Sequence, residues 1–228
     1  MLSNLLFTLI PVLAATIGAV TSVYYRPGEK VMSIIHHFTA GIVFAAAATE
    51  ILPDLKEQSM LAVALGGATG IMLMLIIKYF GEHTESNRGL ITTVGIDLLI
   101  DGLVLGIAFA AGAKTGLLLT LALTLEVLFL GLSVVNELHN PTGNKLQAIL
   151  VVTGLALLVP AGVLAGSTVA GLSQFWLTFF LSFGLIALLY LVTEELLVEA
   201  HAADKDTPAA TAMFFIGFII LLLLEGTI

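Results

Sequence analysis

The sequence predicts an all-α integral membrane protein, a bundle of eight transmembrane helices in a single domain covering residues 1–228. Hydrophobic residues make up 59% of the chain and charged residues only 11%, whereas a soluble domain carries about 25% charged residues. The mean hydropathy is +1.11, and the apolar residues fall into eight runs of about the 20 residues that one membrane crossing needs. A soluble globular domain is therefore excluded.

Each apolar run ends at residues that favour turns or that are charged. The runs are too long, and alternate too little, for the strands of a membrane β-barrel. In order, the predicted spans and the residues that end them are 5–24 (Arg26-Pro27), 32–52 (Pro53-Asp54), 60–80 (Gly81), 90–113 (Lys114), 116–138 (Asn140-Pro141), 146–170 (Gly171), 174–198 (the polar stretch 203–207) and 208–225.

The basic residues predict how the bundle is oriented. The loops after the odd-numbered spans (the odd loops) hold six of the eight basic residues, namely Arg26, Lys30, Lys78, Arg88, Lys145 and Lys205. The even loops hold only Lys56 and Lys114. Because cytoplasmic loops are rich in Lys and Arg, we expect a multi-pass protein of the cell (inner) membrane with both termini outside the cytoplasm.

A weak internal repeat also appears in the sequence. Residues 50–54, Glu-Ile-Leu-Pro-Asp, resemble residues 195–199, Glu-Leu-Leu-Val-Glu. The same offset carries spans 1–3 onto spans 6–8. Each span of the second copy therefore comes five spans after its counterpart, and because five is an odd number, the two copies cross the membrane in opposite directions. We therefore predict an inverted repeat around spans 4 and 5, an arrangement common in secondary transporters.

The acidic residues inside the spans carry the functional prediction. Asp97 and Asp101 lie near the middle of span 4, one helical turn apart on the same face, and Glu126 lies near the middle of span 5. A charge there costs about 2.5–3.5 kcal/mol even on the lenient insertion scale, and no Lys or Arg occupies the middle of a span. A bound cation or a proton would compensate for the charge, so this trio predicts a site for a divalent metal ion. The alternative is that the acids are protonated and hydrogen-bonded within the helices.

Other residues are weaker candidates. Glu50 with Asp54, and Glu195 with Glu199, each begin inside a span and end at its rim, where they form either entry and exit stations or solvated interfacial pairs. His201, beside Glu199, is the best histidine candidate for an auxiliary site. We expect His36 and His37 to be interfacial, and Glu225 to be a solvated charge.

Across essentially its whole length the chain resembles the ZIP family of divalent-metal transporters. Residues 37–53, which end in Glu-Ile-Leu-Pro, resemble the second helix of that family, and residues 184–200 resemble its seventh. Residues 97–102, Asp-Leu-Leu-Ile-Asp-Gly, stand where the family has His-Asn-x-Pro-Glu-Gly, and Glu126 occupies the first ligand position of helix 5.

The chain departs from the family pattern at several positions. Asp97 replaces the ligand histidine, Leu98 and Leu130 occupy further ligand positions, and Glu50 replaces the histidine that usually ends helix 2. A central site built only of oxygen donors weakens any preference for zinc. The sequence leaves Mn²⁺, Fe²⁺ and Zn²⁺ open as the transported ion, and Mg²⁺ and Ca²⁺ as less favoured choices.

These observations predict a transporter that moves a divalent metal cation toward the cytoplasm, with lipid as its surroundings and no nucleic-acid partner. Asp97, Asp101 and Glu126 form the expected central site, and Glu50, Glu195, Glu199 and His201 are secondary positions. The metal is the transported substrate, and we expect neither an organic cofactor nor enzymatic activity. The resemblance further implies alternating access and a homodimer. Three alternatives stay open: a proton-coupled carrier of a small organic solute, a membrane scaffold, and an intramembrane enzyme.

Overall fold

A computed structural model of the chain describes residues 7–25, 27–82, 87–138, 145–202 and 207–227. Within these ranges the protein is helical and contains no strand. The eight helices, numbered in chain order, are α1 (Leu9–Tyr24), α2 (Glu29–Lys56), α3 (Met60–Glu82), α4 (Asn87–Ala111), α5 (Ala113–Leu138), α6 (Lys145–Gly171), α7 (Gln174–His201) and α8 (Pro208–Glu225).

Seven of the helices in the described ranges, α2 to α8, are long and apolar enough to cross a membrane. The remaining helix, α1, is apolar but has 16 residues, and residues 5 and 6 of its predicted span lie outside the described residues. Each predicted apolar run corresponds to one helix. The prediction of an all-α, multi-pass membrane protein is therefore confirmed.

Helix α2 does not end where the sequence predicted a turn. Pro53 and Asp54 lie inside the helix, which continues to Lys56. The reason is a π turn at Ala47–Ile51, after which the Leu52 N–H donates to the Ala47 carbonyl, five residues back. Pro53 lacks an N–H and clashes with a regular helical turn before it. The wider π turn removes this conflict, so the proline begins a new α-helical segment instead of ending the helix.

A second π turn interrupts α7 at Leu191–Leu196, where the Leu197 N–H donates to the Val192 carbonyl. Each π turn contains a glutamate of the sequence-predicted set, Glu50 in α2 and Glu195 in α7. Single π turns inside α-helices occur frequently at functional sites.

Helices α1, α4, α5 and α6 form one closely packed set, here called the central group. Helix α1 packs mainly against α5, α4 packs mainly against α6, and α4 also packs against α5. Glycines bring these backbones together, because a Cβ on Gly18 would overlap the Leu128 carbonyl and a Cβ on Gly102 would overlap that of Val159. Small residues allow such close approach between membrane helices.

Helices α2, α3, α7 and α8 form the second set, here called the flanking group. Helix α2 packs mainly against α8, and α3 packs mainly against α7. Again a Cβ on Gly41 of α2 would overlap the Phe214 carbonyl, and one on Gly66 of α3 would overlap that of Phe179. The two groups touch less extensively, chiefly where α2 meets α5 and α7 meets α4.

Candidate metal centre

Three carboxylates meet between α4 and α5. Asp97 and Asp101 lie one turn apart on α4, and Glu126 lies on α5, which follows α4 after the single residue Gly112. One oxygen from each side chain lies within 4.8 Å of the other two. The exposed fractions of the three residues are 8%, 4% and 2%. The structure thus brings together the trio that the sequence singled out.

The protein leaves most of this negative charge uncompensated. The Asp101 and Glu126 carboxyl groups face each other at hydrogen-bonding range. Two ionised carboxylates have no proton to share, however, so Asp101 Oδ2 and both Glu126 oxygens have no donor. The ion pairs found among the described side chains involve His36, Lys78 and Lys114, and none reaches the trio. Because an unpaired buried charge costs several kcal/mol, the trio needs a cation or protons.

A cavity of about 320 Å³ leads from this trio toward the odd loops. Asp97 and Glu126 line it, together with the first half of α4, the last part of α5 and the end of α7. Its polar wall includes Glu194 and Glu199, whose side chains are 42% and 51% exposed. Asp97 and Glu126 can therefore be reached from the odd-loop end of the bundle through this cavity.

Helix α7 carries two of the predicted secondary residues along this cavity. Glu195 is half-buried and close enough to interact electrostatically with Asp97 and Asp101. Glu199, one turn further on, places its Oε2 atom 3.1 Å from His36 Nδ1. The remaining predicted secondary residue on α7 is His201, whose ring packs edge-on against His37 with 4.9 Å between the ring centroids.

Glu50 lies apart from the centre, at the even-loop end of the bundle. It is 8% exposed and hydrogen-bonds to Thr115 at the start of α5. Lys114 lies close by and donates to the Glu225 backbone carbonyl at 2.9 Å, with Nζ 4.0 Å from the Glu225 carboxylate. Glu225 was expected to be a solvated charge. Its side chain is 26% exposed, and it also has Lys114 as a neighbour at the start of α5.

Two features in and beside the cavity wall escaped the sequence analysis. His36 and His37 were expected at the interface, but they are 4% and 1% exposed, because α2 begins at Glu29 and places them two turns inside, under the end of α7. Glu194 pairs with Lys78 at 2.7 Å, which joins α7 to α3. The sequence did contain a signal that His36 and His37 lie near α7, because the pair falls at the same predicted end of the bundle as Glu199 and His201.

No protein-family model and no curated protein matches this chain.

Proposed function

We propose that the protein transports a divalent metal cation across the membrane and that Asp97, Asp101 and Glu126 bind the cation midway. The observation that carries this proposal is the meeting of three buried carboxylate oxygens within 4.8 Å of one another. A divalent ion would replace the donors that Asp101 and Glu126 lack. Oxygen-rich sites of this kind suit Mn²⁺ and Mg²⁺, and carboxylates also bind Zn²⁺ and Fe²⁺.

The packing of the helices supports an inverted repeat and, with it, the resemblance to ZIP transporters. If spans 1–3 correspond to spans 6–8 and α4 corresponds to α5, then the α1–α5 pair corresponds to α6–α4, and the α2–α8 pair corresponds to α7–α3. These four pairs make the most extensive helix contacts among the described residues. The two π turns also fall at corresponding positions of α2 and α7. Repeats of this kind surround midplane substrate sites in transporters.

The proposed direction is toward the cytoplasm, through alternating access. The cavity lies on the odd-loop side, where six of the eight basic residues fall, and this side is cytoplasmic if Lys and Arg mark the inside. At the opposite end, Lys114 with Glu225, and Glu50 with Thr115, connect the central group to the flanking group. In this proposal the structure corresponds to an inward-open form, and the ion enters when the two groups separate at the even-loop end.

The second candidate function is a proton-coupled carrier of a small organic solute. Two observations favour it: the facing Asp101 and Glu126 carboxyl groups, which one proton would join, and a cavity of about 320 Å³, which falls within the usual range for small-molecule sites. A divalent ion should stabilise a metal transporter against heat and leave such a carrier unaffected. Ligand binding stabilises a folded protein by about 2.7 kcal/mol at a concentration 100 times Kd.

Uptake into proteoliposomes tests the proposal. We expect the parent protein to carry at least one of Zn²⁺, Fe²⁺, Mn²⁺, Mg²⁺ and Ca²⁺, and Asp101→Asn and Glu126→Gln to abolish most uptake. Each variant should melt at or above the temperature of the metal-free parent, because it removes an uncompensated buried charge. Glu29→Gln, at an exposed carboxylate at the start of α2, is the matched control. If both site variants transport like the parent, the proposal that Asp101 and Glu126 bind the transported ion is refuted.

A further inference from the structure

We propose that Lys78 is a built-in competitor of the transported cation. Its ammonium group occupies the Glu194 carboxylate on the cavity wall, and a metal ion has to displace this group before Glu194 can hold the ion. Lys78 lies on α3 and Glu194 on α7, and both line the cavity that reaches Asp97 and Glu126. The role assigned to Lys78 rests on the proposed function and deepens it, because Lys78 would set how readily the cation leaves the protein.

The wall of this cavity is rich in carboxylates, which belong to Asp97, Glu126, Glu194, Glu195 and Glu199. Among the described residues that line the cavity, Lys78 is the one lysine or arginine. A cleft lined by charges of one sign concentrates ions of the opposite sign, and the same attraction slows the departure of an ion that has entered. A positive charge fixed in the wall opposes this trapping.

The ion pair between Lys78 and Glu194 is well formed but can be opened. Lys78 Nζ donates to Glu194 Oε2 at 2.7 Å, a length typical of a charge-assisted hydrogen bond. The two side chains are 41% and 42% exposed, so water reaches both partners. The strength measured for exposed ion pairs corresponds to a factor of about 1.4 to 5 in an equilibrium constant. A divalent ion, with twice the charge of an ammonium group, can therefore displace the lysine.

The ion pair is not needed to hold α3 against α7. A Cβ on Gly66 would overlap the Phe179 carbonyl, and Ser182 Oγ donates to the Val63 carbonyl at 2.8 Å. These contacts already make α3 and α7 one of the most extensively packed helix pairs. Both helices belong to the flanking group, so the ion pair does not cross the boundary with the central group. Its removal should leave the fold and the even-loop closure unchanged.

Two consecutive glutamates of the α7 π turn have different partners. Glu194 pairs with Lys78, whereas Glu195 interacts electrostatically with Asp97 and Asp101. Both glutamates line the cavity. Glu195 thus extends the acidic centre, while the lysine withholds Glu194 from the ion. Removing the ammonium group would make one more carboxylate available along the way out.

The competition has a kinetic signature. An ion that leaves the trio enters the cavity, and it is held there more weakly while Lys78 occupies Glu194. Without the ammonium group the ion should leave more slowly, and product release limits the turnover of many proteins of this kind. The maximal rate and the KM of uptake should then fall together. A structural defect would instead lower the rate without lowering the KM, or would lower the melting temperature.

Binding of Mn²⁺ to the purified full chain, followed by electron paramagnetic resonance, tests the competition directly. The Asp101→Asn/Glu126→Gln background removes two of the three central ligands, so that binding by the cavity wall can be measured. In this background Lys78→Gln should tighten binding by about the 1.4- to 5-fold that an exposed ion pair contributes. Lys78→Glu should tighten it further, because it places a second carboxylate beside Glu194.

The matched control for binding is Lys30→Gln. Lys30 is exposed at the start of α2, at the same end of the bundle, and does not line the cavity. Its replacement removes the same positive charge and should leave Mn²⁺ binding unchanged. If neither Lys78 variant binds Mn²⁺ more tightly than the background, or if Lys30→Gln tightens binding equally, the competition at Glu194 is refuted.

Uptake into proteoliposomes tests the consequence for transport. Lys78→Gln should lower both the KM and the maximal rate, and Lys78→Arg, which can still pair with Glu194, should not. The second change in Lys78→Gln/Glu194→Gln removes the freed carboxylate and should return the KM to that of the parent. A KM that stays low in this double variant would overturn the proposal, since the effect would then not pass through Glu194.

Melting temperatures identify any variant that fails to fold. If Lys78→Gln does, the charge exchange Lys78→Glu/Glu194→Lys keeps the test valid: it preserves the pair and should transport with the KM of the parent, and a changed KM would count against the proposal. The role of Lys78 fails alone if the parent carries a metal and Lys78→Gln keeps its KM. The proposed function fails separately, if the parent carries none of the divalent ions.

Discussion

Replacing Gly106 with alanine should separate α4 from α6 and destabilise the central group. A Cβ built on Gly106 would lie 2.5 Å from the Val163 carbonyl oxygen, 2.9 Å from Gly166 Cα and 2.9 Å from the Ser167 nitrogen. All three are backbone atoms of α6 and cannot turn aside as a flexible side chain does. The two helices must therefore move apart by several tenths of an ångström at this point.

The size of the effect follows from two opposing contributions. Overpacking a close contact costs typically 1–3 kcal/mol, and replacing a helical glycine with alanine returns up to about 1 kcal/mol of backbone propensity. The net loss then lies within about 0–3 kcal/mol, and we take the middle of this range, about 1–2 kcal/mol, as the expected value. For a chain of 150–250 residues each kcal/mol lowers the melting temperature by about 2–4 °C, so Gly106→Ala should melt about 2–8 °C below the parent.

The matched control is Gly154→Ala on α6. A Cβ there meets nothing within 4 Å, so only the gain in propensity remains, and the melting temperature should stay level or rise. Both variants are compared with the parent in the same detergent, by thermal unfolding followed by circular dichroism. Equal melting temperatures for the two variants would refute the claim that glycines set the distance between α4 and α6.

Three further predictions concern the transport cycle. Metal affinity should fall as the pH is lowered from neutral to acidic, because protons and metal compete for the same carboxylate oxygens; binding isotherms that coincide across this range would contradict a carboxylate site. Lys114→Gln should loosen the packing at the even-loop end. A cysteine placed at Leu118, which is 1% exposed, should then react faster with a membrane-impermeant maleimide. The control Lys56→Gln, at the same end of the bundle, should leave this labelling rate unchanged. The chain has no native cysteine to interfere, and equal labelling rates in the two lysine variants would exclude the Lys114 contact as a closure. A reporter fused after Ile228 should react only from outside the cell, and labelling from the cytoplasm alone would reverse the proposed direction.

The sequence predicts depth within the membrane better than it predicts lateral neighbours. Apolar runs set where each helix crosses, and the one-turn spacing of Asp97 and Asp101 puts both carboxylates on one face whatever the packing. The position of Glu126 opposite them depends on α4 and α5 being joined by the single residue Gly112. These features are local and can be read from the chain.

The features that escaped prediction depend on contacts between distant segments. The burial of His36 and His37 comes from the end of α7, and the Glu225 contact comes from the start of α5. Pro53 looked like a helix terminator because its compensating π turn leaves no mark in hydrophobic periodicity. How a helix is rotated about its axis, and which neighbour covers it, is decided by packing that a single sequence does not encode locally.

The π turns of α2 and α7 have an evolutionary consequence. A π turn is in effect a one-residue insertion into an α-helix, and it advances every later side chain by about 100° around the axis relative to a helix that lacks it. A relative with a regular α2 would be one residue shorter between Ala47 and Ile51. Its alignment with this chain therefore needs a single-residue gap inside a membrane helix, a place where gaps are usually penalised. Comparisons that forbid such gaps would set Glu50 and Glu195 against the wrong positions.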